Sequence, residues 1–128
     1  MVLKMVLLVA CGGAIGSVAR YLFNMATMKL AGPDFPWGTI GVNIIGSLAI
    51  GVIVGLLAFT TEWTQEIRAF AVVGILGGFT TFSAFSLDAM LMGEKGAFLQ
   101  MGLYVVSSVV LSLAATWGGL YLVKAFTS

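Results

Sequence analysis

Three groups of residues in this sequence have types and spacings that could handle an ion. The first is the run Gly74-Ile75-Leu76-Gly77-Gly78-Phe79-Thr80-Thr81-Phe82-Ser83-Ala84-Phe85-Ser86. Glycines at 74, 77 and 78, followed by two β-branched threonines, disfavour a continuous helix. A break there frees backbone carbonyls, which away from water need a partner such as a bound cation. The alternative is a close helix crossing at the glycines, with the hydroxyls bonded back to their own helix. The second group is Phe82 and Phe85, three apart and so on one helix face. Phenyl rings carry a positive edge, which can meet an anion without any formal charge. Two phenylalanines at this spacing also serve plain packing. The third group is Tyr104, Ser108, Ser112 and Thr116, spaced by four as one slanting stripe of hydroxyls. Asn43 adds amide donors, with Thr39 one turn before it. A hydroxyl row can also be interhelical hydrogen bonding, at about 0.6–2 kcal/mol per contact in membranes. Together these residues describe a narrow path lined by neutral donors and ring edges, suited to a small anion bound weakly enough to leave. Taken by themselves they indicate a small-ion pathway and do not name the ion.

Other chemistries find little here. The sequence contains no His, and no carboxylate pair lies within an apolar run. Asp88 and Glu94 lie too far out for a buried acid/base pair, and Ser83 and Ser86 have no base near them, so the chain is not expected to be an enzyme. One cysteine, Cys11, allows neither an internal disulfide nor a cysteine metal cluster. The net charge is +1 with no basic run, which leaves no nucleic-acid footprint.

The elements that must position these residues are set by lipid. Hydrophobic residues make up 60% of the 128 and charged residues 9%, against about a quarter in soluble domains. A soluble fold could not cover its surface with so few charges. Uncharged runs cover 5–19, 35–61, 69–87 and 96–123. A spanning helix needs roughly 20 mostly apolar residues. The first run reaches that length when Arg20 snorkels at the membrane end and Tyr21, Leu22 and Phe23 continue the helix. The expectation is a single all-α transmembrane domain over residues 1–128, with spans at roughly 4–28, 37–60, 66–92 and 97–125. The third is broken near its middle.

Turns fit between the spans. Ala31 to Pro36 is turn-like, and Pro36 precedes the second helix. Thr60 to Glu66 is a short polar link, with Trp63 as an interface anchor and Thr64 as a cap for the third helix. Gly93 to Gly96 is the tightest link. Leu8-Val9-Ala10-Cys11 resembles a bacterial lipoprotein cleavage box, but cleavage there would leave a chain just as hydrophobic. The expectation is a first membrane helix that contains Cys11.

Four spans put Lys4, Arg68 and Lys124 on one side, and Arg20, Lys29 and Lys95 on the other. Three against three gives no positive-inside bias. Either the chain inserts both ways and pairs with an antiparallel copy, or six charges are too few to orient it. The Gly-x-x-x-Gly pairs Gly12/Gly16, Gly51/Gly55 and Gly74/Gly78 favour close helix packing without specifying a function.

The motifs carry a family resemblance over essentially the whole chain. Gly77 to Ser86 resembles the third-helix signature of the Fluc (CrcB) fluoride channels. Trp37-Gly38-Thr39-Ile40-Gly41-Val42-Asn43 matches their second-helix motif, and Gly12-Gly13-x-x-Gly16-x-x-x-Arg20 is similar to their first-helix motif. The Tyr104/Ser108/Ser112/Thr116 row falls where they have a polar track. The resemblance implies an antiparallel, dual-topology homodimer in a bacterial inner membrane, with two pores for passive fluoride efflux. It implies Phe82 and Phe85 as ring-edge fluoride ligands and Asn43 as a polar pore residue. Ser83, Thr39 and the hydroxyl row complete the pore, and Arg20 sits near a vestibule. It further implies a structural sodium ion at the dimer interface, held by the backbone carbonyls of Gly77 and Thr80.

Two positions depart from the family pattern: Ala84, where relatives often have Thr, and Asp88, where they often have Glu. The nearest rival, a small multidrug exporter, resembles a proton-coupled antiporter that needs a carboxylate deep in its first span, and residues 5–19 contain none. A purely structural bundle leaves the hydroxyl row and Asn43 without a reason.

Overall fold

The computed structural model describes residues 1–58 and 64–127. The expected anchor Trp63 and the link residues before it lie outside the described residues. Four helices, each long and apolar enough to cross a membrane, make up the architecture. We number them α1 (Val2–Ala31), α2 (Trp37–Leu57), α3 (Gln65–Glu94) and α4 (Phe98–Thr127). They stand where the uncharged runs lie. Apolar residues are exposed around all four, as a lipid-facing helix requires.

Local signals set the ends. α1 stops at Gly32, whose φ of 81° is a left-handed conformation that favours glycine, and whose N–H bonds back to Met28 O. Gly96, also at positive φ (77°), turns the chain between α3 and α4, its N–H bonding to Gly93 O. The Thr64 hydroxyl accepts a hydrogen bond from the Ile67 N–H and caps α3. The exposed Lys4–Glu66 pair at 3.9 Å links the ends of α1 and α3 and adds little stability.

α3 is not uniform. After one α-turn (Gln65–Arg68) it widens into a π-helix over Ala69–Leu76 and then closes into a short turn at Gly77–Phe79. The helix is broken at Thr80–Phe82, where Thr80 is extended (φ −86°, ψ 160°), and resumes over Ser83–Glu94. π-helical turns inside α-helices are frequent at functional sites.

Packing pairs α1 with the first half of α3, and α2 with α4. Both contacts rest on missing side chains. A Cβ at Gly12 would run into Phe70 O, and one at Gly16 into Ile75 O. On the other pair, a Cβ at Gly51 would strike Thr116 O. Backbones at such range gain dispersion contact and weak Cα–H···O bonds, which replace the hydrophobic effect as the force between helices in lipid. A buried cluster of Ile40, Phe85, Met92 and Tyr104 joins the second half of α3 to α2 and α4.

Candidate functional site

The break in α3 is held by three side chains. Asn43 of α2 reaches across, its Nδ2 donating to Thr81 O at 3.0 Å and its Oδ1 accepting from Thr81 N at 2.8 Å. Arg20 of α1 donates from Nε to Gly78 O at 3.0 Å. The Thr81 hydroxyl accepts from Ala84 N at 3.1 Å and so caps the helix that resumes.

These bonds redirect particular donors. In an unbroken helix the Thr81 N–H would close onto Gly77 O, and the Ala84 N–H onto Thr80 O. The first goes instead to Asn43 and the second to the Thr81 hydroxyl. The carbonyls of Gly77 and Thr80 thus lose their helical partners. Gly78 O loses its own and receives Arg20 instead. The two freed carbonyls are the pair that the family resemblance implies as sodium ligands. Backbone oxygens of this kind are a hard donor set, fit for a sodium ion.

Beside the break lies a cavity of about 470 Å³. It brings together Asn43, Gly77, Thr80, Phe82, Phe85, Ser108 and Ser112, from α2, α3 and α4. Phe82 and Phe85 are tilted against each other at 55°, with ring centroids 5.5 Å apart. Phe85 is buried at 8% exposure and packs on Tyr104 at 5.2 Å, whereas Phe82 is 75% exposed. Ser108 is 5% exposed and its Oγ has no hydrogen-bond partner among the described residues. A buried hydroxyl without a partner on an apolar helix is available to a ligand.

Other expected pore residues stand elsewhere. The Tyr104 hydroxyl donates to Asp88 Oδ2 at 3.0 Å, and its side chain is fully buried. Thr116 donates to Ser47 O at 3.0 Å and to Ser112 O at 3.2 Å, so this hydroxyl ties α4 to α2. Thr39 lines a separate, smaller cavity with Asp88. Ser83 is exposed, its Oγ 3.4 Å from the Thr81 hydroxyl. The row of four hydroxyls therefore divides, with only Ser108 and Ser112 facing the large cavity.

Sequence reasoning took Thr81 only as a poor helix former and found neither its capping role nor the Asp88–Tyr104 link. Thr81 had a signal: a threonine three residues before Ala84, just ahead of a renewed helix, has the spacing of a cap. Asp88 and Tyr104 are 16 residues apart on different helices, and nothing local marks them as partners.

A family profile described as CrcB-like protein, Camphor Resistance (CrcB), matches residues 7–120. The chain belongs to the CrcB-like family. Its relatives in this family match nearly end to end. A protein from Agrobacterium fabrum named fluoride-specific ion channel FluC is 55% identical, over 90% of this chain and 92% of its own length. One from Nitrobacter hamburgensis, fluoride-specific ion channel FluC 1, is 49% identical over 93% and 94%. One from Rhodospirillum centenum, again named FluC, is 47% identical over 95% and 97%. With four apolar helices, this CrcB-like chain is a multi-pass membrane protein.

Proposed function

We propose that this chain forms a fluoride-selective channel that lets fluoride leave the cell passively and so relieves its toxicity. The cavity carries this reading. It offers an anion two phenyl rings and the unengaged hydroxyl of Ser108, with no cationic side chain on its wall. Asn43 spends one amide N–H on Thr81 O and keeps a second for the cavity. Neutral donors and ring edges hold a small anion without trapping it, which conduction requires. The relatives, about half identical over nine-tenths of the chain, are named for this ion and are channels rather than enzymes.

One subunit does not complete the path. Phe82 is largely exposed beside polar backbone, and polar groups facing hydrocarbon are costly. The balanced charges of the two sides support an antiparallel second copy as the cover, giving a homodimer with two pores. The diverted amides of Thr81 and Ala84 support a structural sodium ion on the dimer axis, with Gly77 and Thr80 of each subunit offering two carbonyls. Bound there, sodium would satisfy these oxygens and fasten the two breaks together. Arg20, its Nε engaged with Gly78 O, keeps its terminal N–H groups to draw anions toward a vestibule.

The test is fluoride-electrode efflux from liposomes containing the purified protein, with chloride as control. Rapid fluoride release with chloride retained is the expected result. No fluoride release, or equal release of both ions, overturns the proposal.

A further inference from the structure

The side-chain atoms that are buried without a partner among the described residues are Ser108 Oγ and Asn24 Oδ1. Ser108 belongs to the large cavity. Asn24, on α1, belongs to the smaller cavity of about 210 Å³ where α1 ends and α2 begins. Between the two cavities stands a layer made of Phe85, Tyr104 and Asp88. Phe85 faces the large cavity, its ring packs on Tyr104, and Tyr104 donates to Asp88, which faces the small one. The two orphaned atoms thus lie on opposite sides of one aromatic layer.

The small cavity has a chemistry of its own. Asn24 Oδ1, the Thr27 hydroxyl oxygen and the Asp88 carboxylate supply acceptors to this wall, and the Thr39 hydroxyl can accept or donate. Thr27 already spends its hydroxyl proton on Asn24 O at 3.0 Å, so its oxygen can only accept. This wall is built by a glycine: a Cβ at Gly38 would collide with Asn24 Oδ1 and stand 2.8 Å from Thr27 Oγ1. The orphaned Asn24 Oδ1 and the Asp88 carboxylate oxygens cannot bind an anion directly. They can bind water, which donates one O–H to the wall and the other to the anion. The start of α2 in the same wall, with the positive end of its backbone dipole, partly offsets the Asp88 charge.

We infer that Asn24 is a further residue of the ion path, holding water that hydrates the anion on the far side of the Phe85–Tyr104 layer. The ligand class is a water-bridged small anion. Asn24 is a positioning residue, since it touches the ion's water and not the ion. The inference rests on the channel reading above.

The experiment is fluoride-electrode efflux from liposomes with wild type, Asn24→Leu, Asn24→Ser and Gly38→Ala. Removing one hydrogen-bonding group from the path slows Asn24→Leu about tenfold. Asn24→Ser, which keeps a hydroxyl to hold water, stays within about threefold of wild type. Chloride exclusion is unchanged, because the ring cavity is untouched. If Asn24→Leu does not fold, Gly38→Ala decides, because its methyl group displaces the Asn24 oxygen while leaving the amide in the chain. Wild-type flux from Asn24→Leu, or equal slowing by Leu and Ser, overturns the inference while leaving the channel standing. A wild type that releases no fluoride overturns both.

Discussion

Asn43 is the most informative single position to perturb. Its side chain makes two hydrogen bonds to the backbone of one residue, Thr81, and by taking the Thr81 N–H it keeps α3 from closing its turn onto Gly77 O. Asn43→Leu keeps the volume roughly constant and removes both bonds. Interhelical hydrogen bonds in membranes are worth about 0.6–1.7 kcal/mol each. Two of them give a loss of about 1–3 kcal/mol, or roughly a tenfold to hundredfold shift toward the unfolded state. The lost brace also lets the Thr81 N–H return to Gly77 O, which withdraws one of the two freed carbonyls. Fluoride flux should therefore fall along with stability. Asn43→Asp separates the two effects. It still accepts from Thr81 N but sets a carboxylate against Thr81 O and puts a negative charge on the anion's path, so flux falls further than stability. The assays are denaturant titration of the purified protein in mixed micelles and fluoride-electrode efflux from liposomes. Asn43→Leu within about 0.5 kcal/mol of wild type and with wild-type flux would refute the bracing argument.

Four further outcomes are expected. Phe82→Ile and Phe85→Ile each slow fluoride efflux by about fivefold to tenfold, from a ring interaction of about 1 kcal/mol, and unchanged flux in both removes the ring-edge mechanism. Gly16→Leu lowers thermal stability by at least about 2 kcal/mol, because its side chain meets the Ile75 carbonyl of α3; a wild-type melting curve contradicts the seat. Thr116→Val loses the bond to Ser47 O and about 1 kcal/mol in the same micelle titration, and no loss would show the link to be idle. C-terminal reporters in cells label both sides of the membrane, and a single side excludes dual insertion.

Much of the fold was legible because lipid is a stringent solvent. Most charges fall near helix ends or in the links, with Arg20 inside α1 and Asp88 inside α3 as exceptions, and four uncharged runs mark four helices. Gly74, Gly77 and Gly78 with Thr80 and Thr81 announced a weak point in α3, since helix propensity is local. The Gly-x-x-x-Gly pairs announced close packing but not its partners. Gly12 and Gly16 seat on Phe70 and Ile75, a pairing no local pattern contains. The π-helix over Ala69–Leu76 had no signal either, because its apolar residues suit an α-helix equally well.

The candidate site divides in the same way. By itself the sequence determined which groups are available: neutral hydroxyls, two rings, one amide, and no central positive charge. Spacing by four put Tyr104, Ser108, Ser112 and Thr116 on one stripe, which is a property of a single helix. Tertiary structure alone decided which of them remain free. Asp88 engages Tyr104 and Ser47 O engages Thr116, whereas Ser108 Oγ has no hydrogen-bond partner among the described residues. Only tertiary structure likewise turned Asn43 from a plausible pore donor into the brace that opens α3. The physical reason is that a polar group's availability depends on what faces it, and the facing residues here come from helices 16 to 69 positions away in the chain.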